Sequence, residues 1–262
     1  MLIARNIHVT LGSKEILHGV SASFAPAQLS VIVGPNGSGK TTLLRALTAE
    51  TAFDGQITLN GHDITQTPAW KLASMRAVLP QSTVLAFPFT VAEVVRLGQM
   101  GGIGAGGPDR TFDALHRVGL QGYAGRFYSD LSGGEQQRVQ LARVLLQVWQ
   151  PISTNGAPRW LILDEPVSSL DIGHQLLVMQ IARDFADQGG GVVAVMHDLN
   201  LSAMFADHMI LMRNGQITAQ GLVREVLVDD HLSHAYGCPL RVGVAPPDQS
   251  TFILPQMAGA RA

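Results

Sequence analysis

The sequence lacks the features that would place it in an oxidising compartment or in a membrane. Its 262 residues include one cysteine, Cys238, which has no partner for an internal disulfide, so nothing argues for an extracellular address. Long hydrophobic runs are missing too. Leu29 to Val33 and Leu161 to Leu163 fall far short of the roughly 18 consecutive apolar residues that suggest a membrane span. Met1 to Thr10 carries Arg5 and His8 and has no apolar centre of the kind a signal peptide needs. Charge of one sign is absent as well: 18 Lys plus Arg face 20 Asp plus Glu, and the net charge of −2 offers no field to gather nucleic acid or anionic lipid. No internal repeat is visible at a period of about 20 to 50 residues. These absences predict a cytoplasmic chain that neither spans a membrane nor binds nucleic acid, and that is long enough to bury its own core without staples.

What is present reads first as strands. Ile7, Val9 and Leu11 alternate, Gly12 and Ser13 turn the chain, and Ile16 to Phe24 resumes an extended pattern, giving two short strands of a small β-rich sheet. Leu29 to Val33 is a short apolar run ending in Gly34, and Lys40 to Thr48 places Leu43, Leu44 and Leu47 at helical spacing. Gln56 to Leu59 is extended and ends at the turn dipeptide Asn60-Gly61, and Arg76 to Leu79 is a further strand before Gln81. From Val91 to Trp149 the pattern turns helical, interrupted by Gly101 to Gly107 and Gly133-Gly134. Strand-like runs return at Trp160 to Leu163, Gly191 to Met196 and His208 to Met212, with Asn214-Gly215 turning Ile210–Arg213 into Gln216–Ala219. The pattern predicts an α/β core interrupted by a helical insert. Beyond Cys238 the tail is Pro-rich and shows no periodicity.

The strongest chemical signal is Gly34-Pro35-Asn36-Gly37-Ser38-Gly39-Lys40-Thr41, which fits G-x-x-x-x-G-K-[ST] between a buried strand and a helix. Glycines let successive backbone N–H groups turn inward around a phosphate. The helix start adds partial positive charge, and Lys40 supplies a point charge to the β and γ oxygens. Thr41 would place its hydroxyl on Mg²⁺, and Thr42 follows within the same site. A second signal is Leu161-Ile162-Leu163-Asp164-Glu165, an apolar strand that delivers two carboxylates at its end, where ligands of open α/β sheets bind. Asp164 would hold Mg²⁺ and Glu165 would act as general base on the water attacking the γ-phosphate. The plain alternative is that Asp-Glu-Pro merely ends a strand.

Upstream of Asp164, Leu131-Ser132-Gly133-Gly134-Glu135-Gln136 precedes a long helix. Ser132 and Glu135 alone make an S-x-x-E capping box. With the phosphate loop and the acidic strand, this segment resembles the signature of ABC ATPases. The resemblance extends to Gln81 at the position of that family's Q-loop, to Ser169-Leu170-Asp171 as its D-loop and to His197 as its switch histidine, in the family's order from Gly34 to His197. Each has a duller reading: Gln81 as a solvated turn residue, His197 as a structural histidine, Asp171 as the N-cap of a helix starting at Ile172.

The resemblance implies a P-loop NTPase (RecA-like) α/β core with an N-terminal antiparallel β subdomain and an inserted α-helical subdomain. Residues 1–81 and 159–262 would form the core with the β subdomain, and 82–158 the helical subdomain, in a single ATPase domain. It implies ATP and Mg²⁺ as cofactors, with Thr41, Gln81 and Asp164 near the metal and Glu165, His197 and Gln81 at the reaction. Ser132, Gly133, Gly134 and Asp171 would face the nucleotide of a second copy, so that two chains close head to tail.

The segment from Leu79-Pro80-Gln81 through Ala86 to Val95, with Trp149 to Pro158 and Tyr236 to Val242, resembles the ATP-binding subunits of bacterial hemin importers. That implies two copies of a separate transmembrane permease, a periplasmic substrate-binding protein and a peripheral place on the cytoplasmic face of the inner membrane. Cobalamin and ferric-siderophore importers have a nearly identical ATPase, and ABC ATPases that move no solute form a further class. One departure is visible: the family usually stacks adenine on an aromatic residue where Leu11 stands. Gly102 to Gly107 reads G-x-G-x-x-G but follows helical sequence, so it is taken as a mobile loop, not a dinucleotide site. His231, His234 and Cys238 have a spacing that suggests metal or haem, but a single cysteine does not support it.

Overall fold

The computed structural model describes residues 1–83, 85, 87–100, 109–245 and 251–257. The alternating start forms β1 (Leu2–Leu11) and β2 (Lys14–Phe24), paired antiparallel with Leu11 opposite Lys14 across the Gly12-Ser13 turn. Both strands are longer than the alternation indicates. The register of β1 shifts between Ala4 and Ile7, around Asn6 at φ 51°, and such bulges break the two-residue period on which a sequence reading depends. After β3 (Gln28–Val33) and α1 (Lys40–Leu47), β4 (Asp54–Leu59) lies along β1 and β5 (His62–Asp63) along β4. The resulting sheet has the order β2-β1-β4-β5.

A short α2 (Ala69–Met75) leads into β6 (Arg76–Leu79). Helices then dominate: α3 (Val91–Met100), α4 (Thr111–Arg117), a 3₁₀ turn at Tyr128–Asp130 and α5 (Gly133–Gln147). α5 packs on α3, α4 and β6, which joins the helices to the sheet. The glycine-rich stretch Gly101 to Gly107 lies outside the described residues. The chain returns through β7 (Trp160–Asp164), α6 (Ile172–Asp187), β8 (Gly191–Val195), α7 (Leu199–Phe205), β9 (His208–Arg213) and β10 (Gln216–Leu222). It continues with α8 (Val223–Val226) and α9 (Asp229–Tyr236), and a 3₁₀ turn at Pro255–Met257 packs on α7.

The second sheet has the order β10-β9-β3-β8-β7-β6 and is parallel except for the β9–β10 hairpin at Asn214-Gly215. Its central strands are buried on both faces, as parallel sheets require. Ile32, Ile162, Val193, Val195 and Ile210 face α1 and the smaller sheet, while Val31, Val33, Leu161, Leu163, Val192 and Ala194 face the other side. Each of these Val, Leu and Ile side chains contributes about 1.5–3 kcal/mol by leaving water. Trp160 is fully buried, and its indole N–H donates to Asn60 Oδ1 at 3.0 Å, which ties β7 to the smaller sheet. No helix among the described residues is long and apolar enough to cross a membrane. The consequence for the site is positional. β3, β8, β7 and β6 are neighbours pointing the same way, so the residues that follow their C-terminal ends converge on one edge.

Candidate functional site

The glycine loop after β3 turns directly into α1, with Gly39 at φ 99° as the residue before the helix. Gly34 shows why the first position must be glycine. Its φ is 147°, and a Cβ there would stand 2.2 Å from the Met212 carbonyl oxygen of β9. Lys40 folds back over the loop, its Nζ donating to the Gly34 carbonyl at 2.9 Å and the Pro35 carbonyl at 3.0 Å. Burial lowers the ammonium's pKa, opposed by the negative charges of Glu165 and Asp164. The Ser38 hydroxyl is buried with no partner among the described residues, an unmet hydrogen-bonding group in a loop built of inward backbone donors.

β7 brings the two carboxylates beside this loop, and they sit in different surroundings. Asp164 is buried, its Oδ1 3.3 Å from the Thr41 hydroxyl. Burial and then the neighbouring Glu165 charge raise its pKa, partly offset by the Thr41 hydrogen bond. Glu165 lies at φ 51°, a left-handed conformation that L residues rarely adopt and that recurs at functional sites. Its Oε1 is 2.5 Å from His197 Nε2, and its Oε2 accepts from Gln81 Nε2 at 2.9 Å. Gln81 follows β6 and His197 follows β8, so three strands supply one cluster. The Glu165 backbone oxygen accepts from Gln137 Nε2 of α5 at 2.9 Å.

These groups line a cleft of about 620 Å³ that runs from Gln81, Glu165 and His197 along Asn36 to Thr42. Gly34 and Pro35 are not among its lining residues, and their carbonyls hold Lys40. Lys14 and Ile16 of β2 also line the cleft, and no sequence pattern selects them because they belong to a different sheet. Leu11 is half exposed and does not line the cleft.

Ser132, Gly133, Gly134 and Asp171 lie outside this cleft. Ser132 caps α5 in a full capping box: its hydroxyl accepts from the Glu135 N–H at 3.4 Å, and Glu135 Oε2 accepts from the Ser132 N–H at 2.8 Å. The Ser132 hydroxyl and N–H, followed by the Tyr123 hydroxyl, pull the Glu135 carboxyl down to about 2. Asp171 is the N-cap of α6, accepting from the His174 N–H at 2.9 Å. The local cap reading of both residues holds in the structure, and neither cap removes the residue from the surface.

His231, His234 and Cys238 have separate surroundings. His231 Nδ1 is 3.3 Å from the Val226 carbonyl, His234 Nε2 accepts from Arg213 at 3.2 Å, and Cys238 is free and exposed. Tyr236 on the same helix reaches the phosphate loop. Burial pushes its phenol up, against a hydrogen bond from the Gly34 backbone.

A glycine loop between a buried parallel strand and a helix, with a folded-back lysine and a carboxylate strand alongside, defines a P-loop nucleotide-binding protein. The sequence profile of the ABC transporter family matches residues 17–168. The chain is 60% identical over 259 residues to the hemin import ATP-binding protein HmuV of Ruegeria sp. (strain TM1040), covering 99% of each. It is 57% identical to the HmuV protein of Jannaschia sp. (strain CCS1), covering 98% of this chain and 95% of that one. Among solved structures, a nucleotide-free ATP-binding cassette from an ABC transporter superposes with a TM-score of 0.77 at 24% identity, over 90% of this chain and 98% of that one. The chain therefore belongs to the ABC transporter family as an ATP-binding subunit. It has that family's P-loop fold with a β subdomain and a helical subdomain, and its activity is ATP hydrolysis coupled to transport.

Proposed function

We propose that the chain powers hemin import, hydrolysing ATP on the cytoplasmic face of the bacterial inner membrane for a permease made by separate chains. The observation that carries this reading is the near full-length identity to proteins named as hemin import ATP-binding proteins. In this reading two copies of the subunit serve two copies of the permease, and a periplasmic binding protein delivers hemin from the far side. Residues 82–158 form the helical subdomain, and 1–81 with 159–262 the core.

The geometry supports a division of labour. The backbone of Gly34 to Gly39, with Lys40 and the buried Ser38 hydroxyl, holds the phosphates, and the cleft continues past Thr41 and Thr42 to Lys14 and Ile16 for the base and sugar. Thr41 and Asp164 present adjacent hard oxygen donors that fit Mg²⁺, an ion that commonly takes one or two protein ligands and completes its shell with water and phosphate. Among the described residues no group of three or more His, Cys, Asp or Glu is placed to hold an ion by itself, which agrees with a metal that arrives with the nucleotide. When bound, Mg²⁺ supplies charge neutralisation at the β and γ oxygens.

Glu165 accepts the proton of the attacking water, and His197 and Gln81 orient its carboxylate and report whether the γ-phosphate is present. Ser132, Gly133 and Gly134, at the positive end of α5, face the γ-phosphate held by a second copy, with Asp171 at the seam between copies. A head-to-tail pair closed in this way loses its differential binding when the γ-phosphate is cleaved, so hydrolysis reopens it.

The test is uptake into liposomes that hold this subunit with its permease, with hemin, cobalamin or a ferric siderophore offered through the matching binding protein. Hemin-stimulated ATPase and hemin uptake, both lost in Glu165→Gln, are expected. Stimulation by one of the other cargoes instead would overturn the hemin assignment and leave the importer chemistry. No stimulation by any cargo would turn the reading toward an ABC ATPase that moves no solute.

A further inference from the structure

α5 touches the turn after β7 at two points. At its start, a Cβ on Gly134 would come 3.0 Å from the Ser169 carbonyl oxygen, so the helix lies directly on that backbone. One turn further, Gln137 Nε2 donates to the Glu165 carbonyl at 2.9 Å. Gln137 belongs to none of the motifs legible in the sequence, and its position on the buried side of a helix reads as ordinary packing.

Glu165 needs an external hold. Its left-handed backbone is disfavoured for an L residue, and a small rotation of that peptide would redirect the carboxylate. The Glu165 N–H donates to Val195 of β8 at 3.2 Å, which fixes one side. On the other side, the carbonyl also accepts from the Ser168 hydroxyl at 3.2 Å, but Ser168 lies in the same turn and moves with it. Gln137 is the partner that comes from another element. Its Oε1 is buried, with no partner among the described residues, beside a cavity of about 160 Å³ among Gln81, Gln136, Gln140 and Ser169. The amide is therefore kept in a polar seam, held by a single hydrogen bond among the described residues.

We propose that Gln137 is a positioning residue for Glu165, fixing the carbonyl of the residue that carries the reacting carboxylate and so aligning it only when α5 is seated. This rests on Glu165 being the general base. The test uses the full subunit with its permease. Gln137→Ala, and Gln137→Met as a variant of similar size without a donor, should each lower kcat by about 10- to 100-fold, the scale of a small misplacement. KM and the affinity for a fluorescent ATP analogue should stay within about twofold, because neither end of Gln137 lines the nucleotide cleft.

Single-turnover hydrolysis then compares Glu165→Gln with Glu165→Gln/Gln137→Ala. A residue that acts through the Glu165 carboxylate adds nothing once that carboxylate is gone, so the two rates should agree within about twofold. Normal kcat in both single Gln137 variants beside an inactive Glu165→Gln overturns the proposal. A further loss of about tenfold in the double variant also overturns it, because independent effects multiply. Normal turnover in Glu165→Gln would instead defeat the general-base assignment, a result distinct from both.

Discussion

His197 Nε2 stands 2.5 Å from Glu165 Oε1, while Gln81 donates to Oε2 of the same carboxylate at 2.9 Å, so both oxygens of one acid are held by residues that follow two other strands. A ring nitrogen on one oxygen and an amide on the other fix the direction in which the carboxylate points. Removing the acid and removing its orienter should therefore differ in degree. Glu165→Gln is expected to keep ATP binding and to slow turnover by about 10² to 10⁴, the usual worth of a general base. Steady-state ATPase with a parallel nucleotide-binding measurement checks this, and near-normal turnover would reject the assignment.

His197→Ala leaves the base in place but removes one of its two holds. A loss of about 10²-fold in kcat is expected, the scale of losing one preorganised polar group at a reacting centre. Nucleotide affinity should change little, since Lys40 and the loop backbone are untouched. If KM for ATP rose tenfold with kcat unchanged, His197 would belong to ground-state binding instead.

Lys40 has a different task. Its Nζ spends two of its three donors on the Gly34 and Pro35 carbonyls, which place a buried cation over the loop. Lys40→Ala should weaken nucleotide binding by about 10- to 100-fold, as expected for losing a hydrogen bond to a charged group. Equilibrium titration with a fluorescent ATP analogue reads this directly, and unchanged affinity would contradict the phosphate-site assignment.

Glu135 gives the cap of α5 a pH dependence whose sign is fixed. Its folded pKa is lowered from 4.5 to about 2, so the capping contribution is present above the unfolded value and is lost as pH falls through the folded one. A Glu135→Ala variant should unfold at a lower urea concentration than the parent at pH 7. The gap should narrow below about pH 4.5 and close near pH 2. A gap that stayed constant over this range would show that the carboxylate charge is not what holds the cap.

The legible parts of this molecule are those in which chemistry and local structure coincide. Gly34 to Thr41 announces itself because the same residues turn the backbone and start a helix, Ser132 is a cap recognisable from its three-residue spacing to Glu135, and Asp171 from its place just before a helix. The meeting of Gln81, Glu165 and His197 depends on the spatial order β3-β8-β7-β6, which differs from the order in the chain and follows from parallel crossovers that periodicity does not reveal. Gln137 and Tyr236 were hidden for a related reason. A polar residue on a packed helix face carries no local mark of what it touches.

The base end of the cleft was the least legible, and it yields the last prediction. With the phosphates on the loop and the γ end at Glu165 and His197, as proposed, the part of the lining left for the base is Lys14 and Ile16. Ile16 lies against the loop itself: its carbonyl oxygen would be 3.6 Å from a Cβ on Gly39. An aliphatic side chain and a lysine can cover a base but offer no aromatic face to stack on it. Leu11, at the neighbouring β1–β2 turn, is 48% exposed and has room for a larger side chain. Leu11→Tyr should therefore tighten ATP binding by about 2- to 10-fold, the worth of one aromatic stack. It should also tighten GTP binding, because stacking is tolerant of base identity. Competition titrations with ATP, GTP and CTP check this. Unchanged affinity for all three would mean that the base does not reach the β1–β2 turn and that Ile16 alone covers it.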